Sequence, residues 1–297
     1  MTSRGWILFL AMSIIWGIPY LMIKIAVEGV SVPVLVLART AVGAAVLLPL
    51  AFSRQTLTIV RNHWKAMLGF AFFEIIAAWW LLSDAERHLT SSMTGLLIAA
   101  SPIIAAVLDR FTGGERLGYK RVTGLAIGIA GVAVLAGPQI GGSTWPIIEV
   151  LMVATCYAIA PLIAARYLAD VPALPMTAVC LGFAALVYAA PAAATWPHEM
   201  PSTRVLLALG GLAVICTALA FIVFFALIRE VGAARALVFT YINPTVTLAA
   251  GVIVLHEPLT AWNVAALTLI MAGCVLATRR HPQAESDLVT EATAAPR

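Results

Sequence analysis

Two ionisable side chains, Arg39 and Glu74, stand in stretches that are otherwise almost wholly apolar, VPVLVLARTAVGAAV and MLGFAFFEIIAAWW. A charge near the centre of a bilayer costs about 2.5–3.5 kcal/mol on insertion scales, so such a residue is paired, hydrated or functional. Counted from opposite ends of consecutive helices, the two lie at depths where their side chains could meet as a structural ion pair. Glu74 has a second reading, since a carboxyl in an apolar setting suits a group that exchanges protons or a seat for a substrate's ammonium. Aromatic residues accompany them inside apolar segments: Trp16, Tyr20, Tyr157 and Tyr241, with Trp79 and Trp80 closely following Glu74. Trp79 and Trp80 read either as an interfacial belt or as part of the same lining. Tyr241 and Asn243 flank a proline, as Ser101 does, and stacking or cation–π contact there suits an amphipathic or aromatic metabolite such as an amino acid.

The elements that must position these residues follow from composition. Of 297 residues, 62% are apolar and 11% charged, with a mean hydropathy of +0.99, which excludes an ordinary soluble globular protein. Apolar stretches of membrane-crossing length recur near 6–26, 32–52, 65–83, 91–108, 121–137, 147–165, 174–195, 204–228, 234–254 and 260–278. Runs this long without strict alternation are helical, because a helix satisfies its backbone within its own segment. The expected fold is an all-α integral membrane protein of ten transmembrane helices.

Position, more than sum, gives the basic charge its meaning. With ten crossings, all but four of the 18 Lys and Arg residues fall on the side of the two chain ends; the exceptions are Lys24, Arg39, Arg87 and Arg204. The positive-inside rule then places both termini in the cytoplasm of a multi-pass cell (inner) membrane protein. The first helix reads as a retained anchor. Charge so distributed is a topology signal and gives no support to nucleic-acid binding. The four cysteines, Cys156, Cys180, Cys216 and Cys274, lie in apolar spans with neither disulfide nor metal spacing. The polar stretch 281–297 reads as a disordered cytoplasmic tail.

The chain also repeats itself. At a constant offset of 142 residues Pro19 matches Pro161, Pro33 Pro175, Pro49 Pro191 and Pro102 Pro244, and the same register pairs Gly69 with Gly211, Glu115 with Glu257, Gly131 with Gly273 and Lys24 with Arg166. Two homologous halves follow, 1–139 and 143–280. Five crossings each make them inverted in topology. The segments IAASPIIAA (98–106) and TYINPTVTL (240–248) both keep a proline in mid-span, which frees the carbonyls of Ile98 and Thr240. Matched interruptions of this kind point to a midplane cavity, and Pro19 and Pro161 are expected to kink the first and sixth helices likewise. Arg39 and Glu74 are not repeated; Leu181 and Cys216 stand opposite them.

These features resemble the drug/metabolite transporter superfamily, EamA-type branch. The resemblance rests on WGIPYLMIK (16–24), ARTAVGAA (38–45), TSSMTGLLIAASPIIAAVL (90–108), GGERL (113–117) and INPTVTLAAGVIVLHEPLT (242–260), in that order across about residues 6–278. It implies ten helices in inverted repeats, a central cavity lined by inner helices, and transport of small metabolites, most often export. An uptake permease is the alternative direction.

Competing classes lack their residues. His63, His88, His198, His256 and His281 are scattered with no HExxH spacing, and there is no GxxxxGK[ST] loop, so neither a metalloenzyme nor ATP-driven transport by this chain is indicated. No catalytic residues, metal or cofactor are expected; the partners expected are a small-molecule substrate and the lipid bilayer. A non-transporting scaffold has no reason to bear buried charges. Gly124, Gly128 and Gly131 form a small-residue face suited to helix packing or to a homodimer. Glu115 and Glu257 are placed to cap helix ends or to gate.

Overall fold

Without water, the apolar stretches have only helix to satisfy their backbone, and hydroxyl side chains mark where several helices begin. The computed structural model describes residues 2–51, 53–111, 118–137 and 143–278. Its helices are α1 (Ser3–Ile15), α2 (Pro19–Ala26), α3 (Val32–Ala51), α4 (Arg54–Ala71), α5 (Ala77–Ala85), α6 (Ser91–Ile98), α7 (Ser101–Phe111), α8 (Tyr119–Ala136), α9 (Trp145–Tyr167), α10 (Ala173–Ala194), α11 (Thr203–Ala213), α12 (Ala220–Val231), α13 (Ala233–Ala236), α14 (Asn243–Val254) and α15 (Ala261–Thr278). Thr2, Ser53, Thr90 and Ser202 each accept a hydrogen bond from a backbone N–H three residues on, closing the first turns of α1, α4, α6 and α11.

Among the described residues seven helical runs are long and apolar enough to cross a membrane: Ser3–Ala26, Val32–Ala51, Thr56–Ala85, Ser91–Leu108, Trp145–Tyr167, Ala173–Ala194 and Thr203–Val231. Three shorter apolar helices, Arg121–Ala136, Asn243–Val254 and Ala261–Ala277, lie where the sequence places the fifth, ninth and tenth crossings. The ninth is divided because Pro244 cannot continue the preceding helix; α13 passes into a 3₁₀ segment, Leu237–Tyr241, before α14 begins. Glu115 and the stretch 281–297 lie outside the described residues.

Two π-helical turns interrupt the straight runs, Phe72–Ile76 between α4 and α5 and Val214–Leu219 between α11 and α12. Their first residues are 142 apart, the offset of the sequence repeat. Such turns widen a helix and gather at functional sites. The halves interlock through α3 on α10, α8 on α15, α1 on α12 and α5 on α9. Exchanging the halves by 142 residues carries each pair onto itself or onto another of these four.

The matched prolines do not all open the helix. The helix stops at Ile15 and restarts at Pro19, and it stops at Ile98 and restarts at Ser101 ahead of Pro102. Pro161, by contrast, lies within an uninterrupted α9, so the sixth helix lacks the break of the first. At the repeat offset Ile159 replaces Gly17. Val246 packs so close to Gly17 that a Cβ there would meet its Cγ1 at 2.5 Å, and Thr247 Oγ1 donates to Gly17 O (2.7 Å). That approach requires glycine and rewards the open backbone; a β-branched residue precludes it.

The glycine face of α8 is used inside the chain. A Cβ on Gly124 would sit 2.6 Å from Ala277 N, and one on Gly273 2.5 Å from Gly128 Cα. This close helix pair is an internal seam between α8 and α15, and the face offered as a homodimer surface is already covered.

Candidate functional site

Between the two halves lies a cavity of about 340 Å³. Twelve of the fourteen residues singled out from sequence line it: Trp16, Pro19, Tyr20, Arg39, Glu74, Trp79, Ser101, Pro102, Tyr157, Tyr241, Asn243 and Pro244. The two that do not are Pro161, in unbroken α9, and Trp80, which is 38% exposed and stacks on Tyr188 at 6.0 Å. Trp80 keeps the outward-facing position of a belt residue. Trp79 does not, since it is 7% exposed and faces the cavity.

The helix breaks are satisfied by side chains from nearby. Ser101 Oγ donates to Ile98 O (2.6 Å), the carbonyl that Pro102 frees. Cys274 Sγ donates to Ala99 O (3.1 Å) in the same break. With its amide oriented by its surroundings, Asn243 Nδ2 donates to Phe239 O (3.1 Å) and Ser13 O (3.2 Å), which ties α14 to α1. Backbone opened at membrane depth is thus met by hydroxyl, amide and thiol groups around the cavity. Trp16 forms an aromatic wall with Phe221, Phe224 and Phe239, at centroid distances of 5.8, 5.0 and 5.4 Å.

The two buried charges share this cavity without pairing. Among the described residues no carboxylate lies within 4.0 Å of the Arg39 guanidinium, so the ion pair with Glu74 does not form. Instead the guanidinium carbon stands 3.8 Å from the centre of the Trp79 ring, and Nε donates to Thr217 Oγ1 (3.4 Å). Thr217 is held in turn by donating to Leu212 O (2.8 Å) across the second π-turn. The first π-turn carries Glu74, and Glu74 and Trp79 line the same cavity. Glu74 lines the cavity with no hydrogen bond or ion pair to the described residues. The site therefore offers a fixed cation, an uncommitted carboxylate and aromatic walls.

Sequence reading missed several groups. Cys216 lines the cavity as the repeat counterpart of Glu74, and Thr240, Thr247 and Phe221 line it too. Thr217 was missed as the partner of Arg39. The matched prolines flag the neighbourhood of Thr240 and Thr247; nothing in residue type flags Thr217, because a π-turn leaves no spacing signature.

On the membrane face opposite the N-terminus the halves are bonded together. Glu257, in the connection after α14, accepts from Ser91 N (2.7 Å), Ser91 Oγ (3.0 Å), Ser92 N (3.0 Å) and, at very short range, Ser92 Oγ. A carboxylate so placed meets the unpaired N–H groups and positive end of α6. Lys24 Nζ donates to Glu86 O and Leu89 O, both at 2.7 Å. Glu86, just beyond the α5 end, is fully buried, and neither carboxyl oxygen has a hydrogen-bond partner. Burial pushes its carboxyl well above the ordinary value, with Glu257 adding to the rise and Lys24 and the neighbouring Thr94 hydroxyl pulling the other way. Among the described residues no group of three or more His, Cys, Asp or Glu could hold a metal.

Comparison with known proteins adds the last element. The family model described as EamA-like transporter family matches twice, over residues 3–137 and 144–279. An uncharacterized transporter of Bacillus subtilis, YvbV, is 25% identical over 289 residues, covering 95% of this chain and 94% of its own. A probable terminal-alkyne amino-acid exporter of Streptantibioticus cattleyicolor is 26% identical over 227 residues, covering 68% of this chain and 73% of its own. A solved structure titled only as a crystal structure of a protein shares the fold, with a TM-score of 0.65 at 20% identity, over 94% of this chain and 98% of that one. Helices of membrane-crossing length, a central cavity at matched helix breaks and a family match over both halves converge: the chain belongs to the EamA-like transporter family, and it is a polytopic membrane transporter, not an enzyme.

Proposed function

We propose that the protein is a secondary exporter of small zwitterionic or aromatic metabolites, amino acids foremost, working by alternating access across the cytoplasmic membrane. The observation that carries this reading is the pairing of a fixed cation with an uncommitted carboxylate in one aromatic-walled cavity. Arg39 on Trp79 supplies a seat for a carboxylate, Glu74 a seat for an ammonium, and Trp16, Tyr20, Tyr157 and Tyr241 a surface for an apolar or aromatic side chain. The name of the amino-acid exporter among its relatives agrees with both substrate class and direction.

In this reading the chain crosses the membrane ten times as two inverted halves, 1–139 and 143–280, with both ends in the cytoplasm, and the halves rock about the cavity. The 142-residue offset shared by the prolines and the π-turns supports it, and so does the bias of Lys and Arg. Glu74 then couples export to protons, holding either a proton or the substrate's ammonium. The test is counterflow in proteoliposomes loaded with a panel of amino acids, amines and aromatic acids. Exchange of a zwitterion, faster than that of its amine or its acid alone, is the expected result; exchange of none of the panel would sink the substrate assignment.

A further inference from the structure

The two faces of the molecule are closed unequally. On the face opposite the N-terminus α6 packs on α14 and α2 packs on α6. The fit is tight, for a Cβ on Gly95 would run into Thr247 Cγ2. Moving each element by 142 residues turns these contacts into α7 against the segment 233–240, and the end of α9 against that same segment. No comparable packing joins either pair. The half-exchange symmetry that holds for α3, α8, α1 and α5 with their partners fails here, at the elements around the matched proline breaks.

The bond that Lys24 makes on the closed face has a counterpart residue that makes none. Lys24 ends α2 and holds the carbonyls of Glu86 and Leu89, where the chain turns between α5 and α6. At the same offset Arg166 lies in the last turn of α9, and the equivalent carbonyls are those of Ile228 and Val231 in the last turn of α12, where Ile228 O already accepts from Gly232 N (2.8 Å). Arg166 is exposed. Its guanidinium stands 5.6 Å from the ring of its neighbour Tyr167, and it makes no hydrogen bond or ion pair with the described residues.

We infer that Arg166 is the clasp of the other state: when the face opposite the N-terminus opens, Arg166 closes the N-terminal face by donating to the carbonyls of Ile228 and Val231, as Lys24 now does to Glu86 and Leu89. The inference rests on the alternating-access reading. It needs no new chemistry, because a cation is the natural donor to the carbonyls at a helix end, and a carbonyl such as Ile228 O that already accepts from Gly232 N keeps a second lone pair. The residues around the two clasps also explain which state is seen. The closed face has Gly95, Ser91 and Ser92, which admit Thr247 and bond Glu257, whereas Leu237, Ala233 and Ala234 hold the corresponding places. At those three positions the N-terminal face carries neither the glycine nor the hydroxyls, which leaves more of its closure to the arginine.

The test is pulsed electron spin resonance on full-length protein in lipid nanodiscs, with spin labels on cysteines at Asp170 and Arg229, both exposed on the N-terminal face. Two distances are expected, the longer dominant, with the shorter enriched in Lys24→Gln, which releases the present clasp. Arg166→Gln should lower the ratio of short to long by roughly five- to tenfold, alone and in the Lys24→Gln background. Arg166→Lys should restore most of it, since a lysine does this work in the first half. An unchanged ratio in Arg166→Gln, or no rescue by lysine, overturns the clasp while alternating access stands. A single distance in both the parent and Lys24→Gln removes the second state and overturns both.

Discussion

Arg39 lies over Trp79, guanidinium carbon 3.8 Å from the ring centre, with its Nε turned to Thr217. The pair joins α3 to α5, and the hydrogen bond joins both to the π-turn of the other half. A desolvated cation–π contact contributes about 2 kcal/mol or more, and the planar guanidinium can stack and donate at once where an ammonium cannot. Arg39→Lys is therefore expected to be a poor replacement despite keeping the charge. It should weaken substrate binding at least tenfold and lower thermal stability, and Trp79→Leu should lower stability by about 2 kcal/mol. Thermal unfolding with and without a bound zwitterion checks both; a wild-type affinity in Arg39→Lys would remove the guanidinium from substrate recognition.

Glu74 faces the cavity without a partner, so its replacement should cost function more than fold. Glu74→Gln keeps shape and removes the exchangeable proton. The variant should express and unfold close to the parent, while transport driven by a proton gradient falls by an order of magnitude or more and loses its pH dependence. Counterflow, which needs no gradient, should fall less. Proton-driven and counterflow rates measured on one preparation separate the two roles, and equal losses would mean that Glu74 only binds substrate.

Much of this site was legible in the sequence because the bilayer makes departures conspicuous. Arg39, Glu74 and the mid-span prolines stand out where almost every neighbour is apolar, and twelve of fourteen chosen positions line one cavity. What the sequence concealed is local backbone geometry. Pro161 repeats Pro19, yet only the first is a break, because the second lacks a glycine that lets a neighbouring helix cap the opened backbone. The Arg39–Glu74 pair looked available by depth, but Arg39 is taken up by Trp79 and Thr217 instead. Trp79 and Trp80 are adjacent and chemically identical, and only the helix phase sends one inward and the other to the outer surface.

The α8–α15 seam gives a prediction about packing. Gly273 meets Gly128 backbone to backbone, with 2.5 Å left for a Cβ, and neither partner is a flexible side chain able to yield. Gly273→Val should lower the unfolding midpoint by several degrees, an overpacking cost of about 1–3 kcal/mol, without altering the mass of the detergent-solubilised particle. A loss of a dimer in that variant at unchanged stability would show that the glycine face works between chains.

Glu86 is expected to make closure of the face opposite the N-terminus sensitive to pH. Its carboxyl is buried, with Lys24 and Glu257 the charges acting on it and the Thr94 hydroxyl beside it, and burial raises it well above the ordinary 4.5. A raised carboxyl contributes stability that is fully present below the unfolded value, near 4.5, and is lost as pH rises through the folded value. The bonded face should therefore hold best in mild acid and loosen as pH climbs, because ionising Glu86 in place leaves a buried charge only partly offset by Lys24. Glu86→Gln stays neutral and should flatten that dependence, keeping at high pH the closure that the parent shows at low pH. The spin-label distances at Asp170 and Arg229, followed against pH, read this directly: in the parent the shorter distance should grow with rising pH, and in Glu86→Gln it should not. A parent profile independent of pH, or one that Glu86→Gln leaves intact, would place the control of this face elsewhere, with the Glu257 carboxylate on the α6 N-terminus the next group to vary.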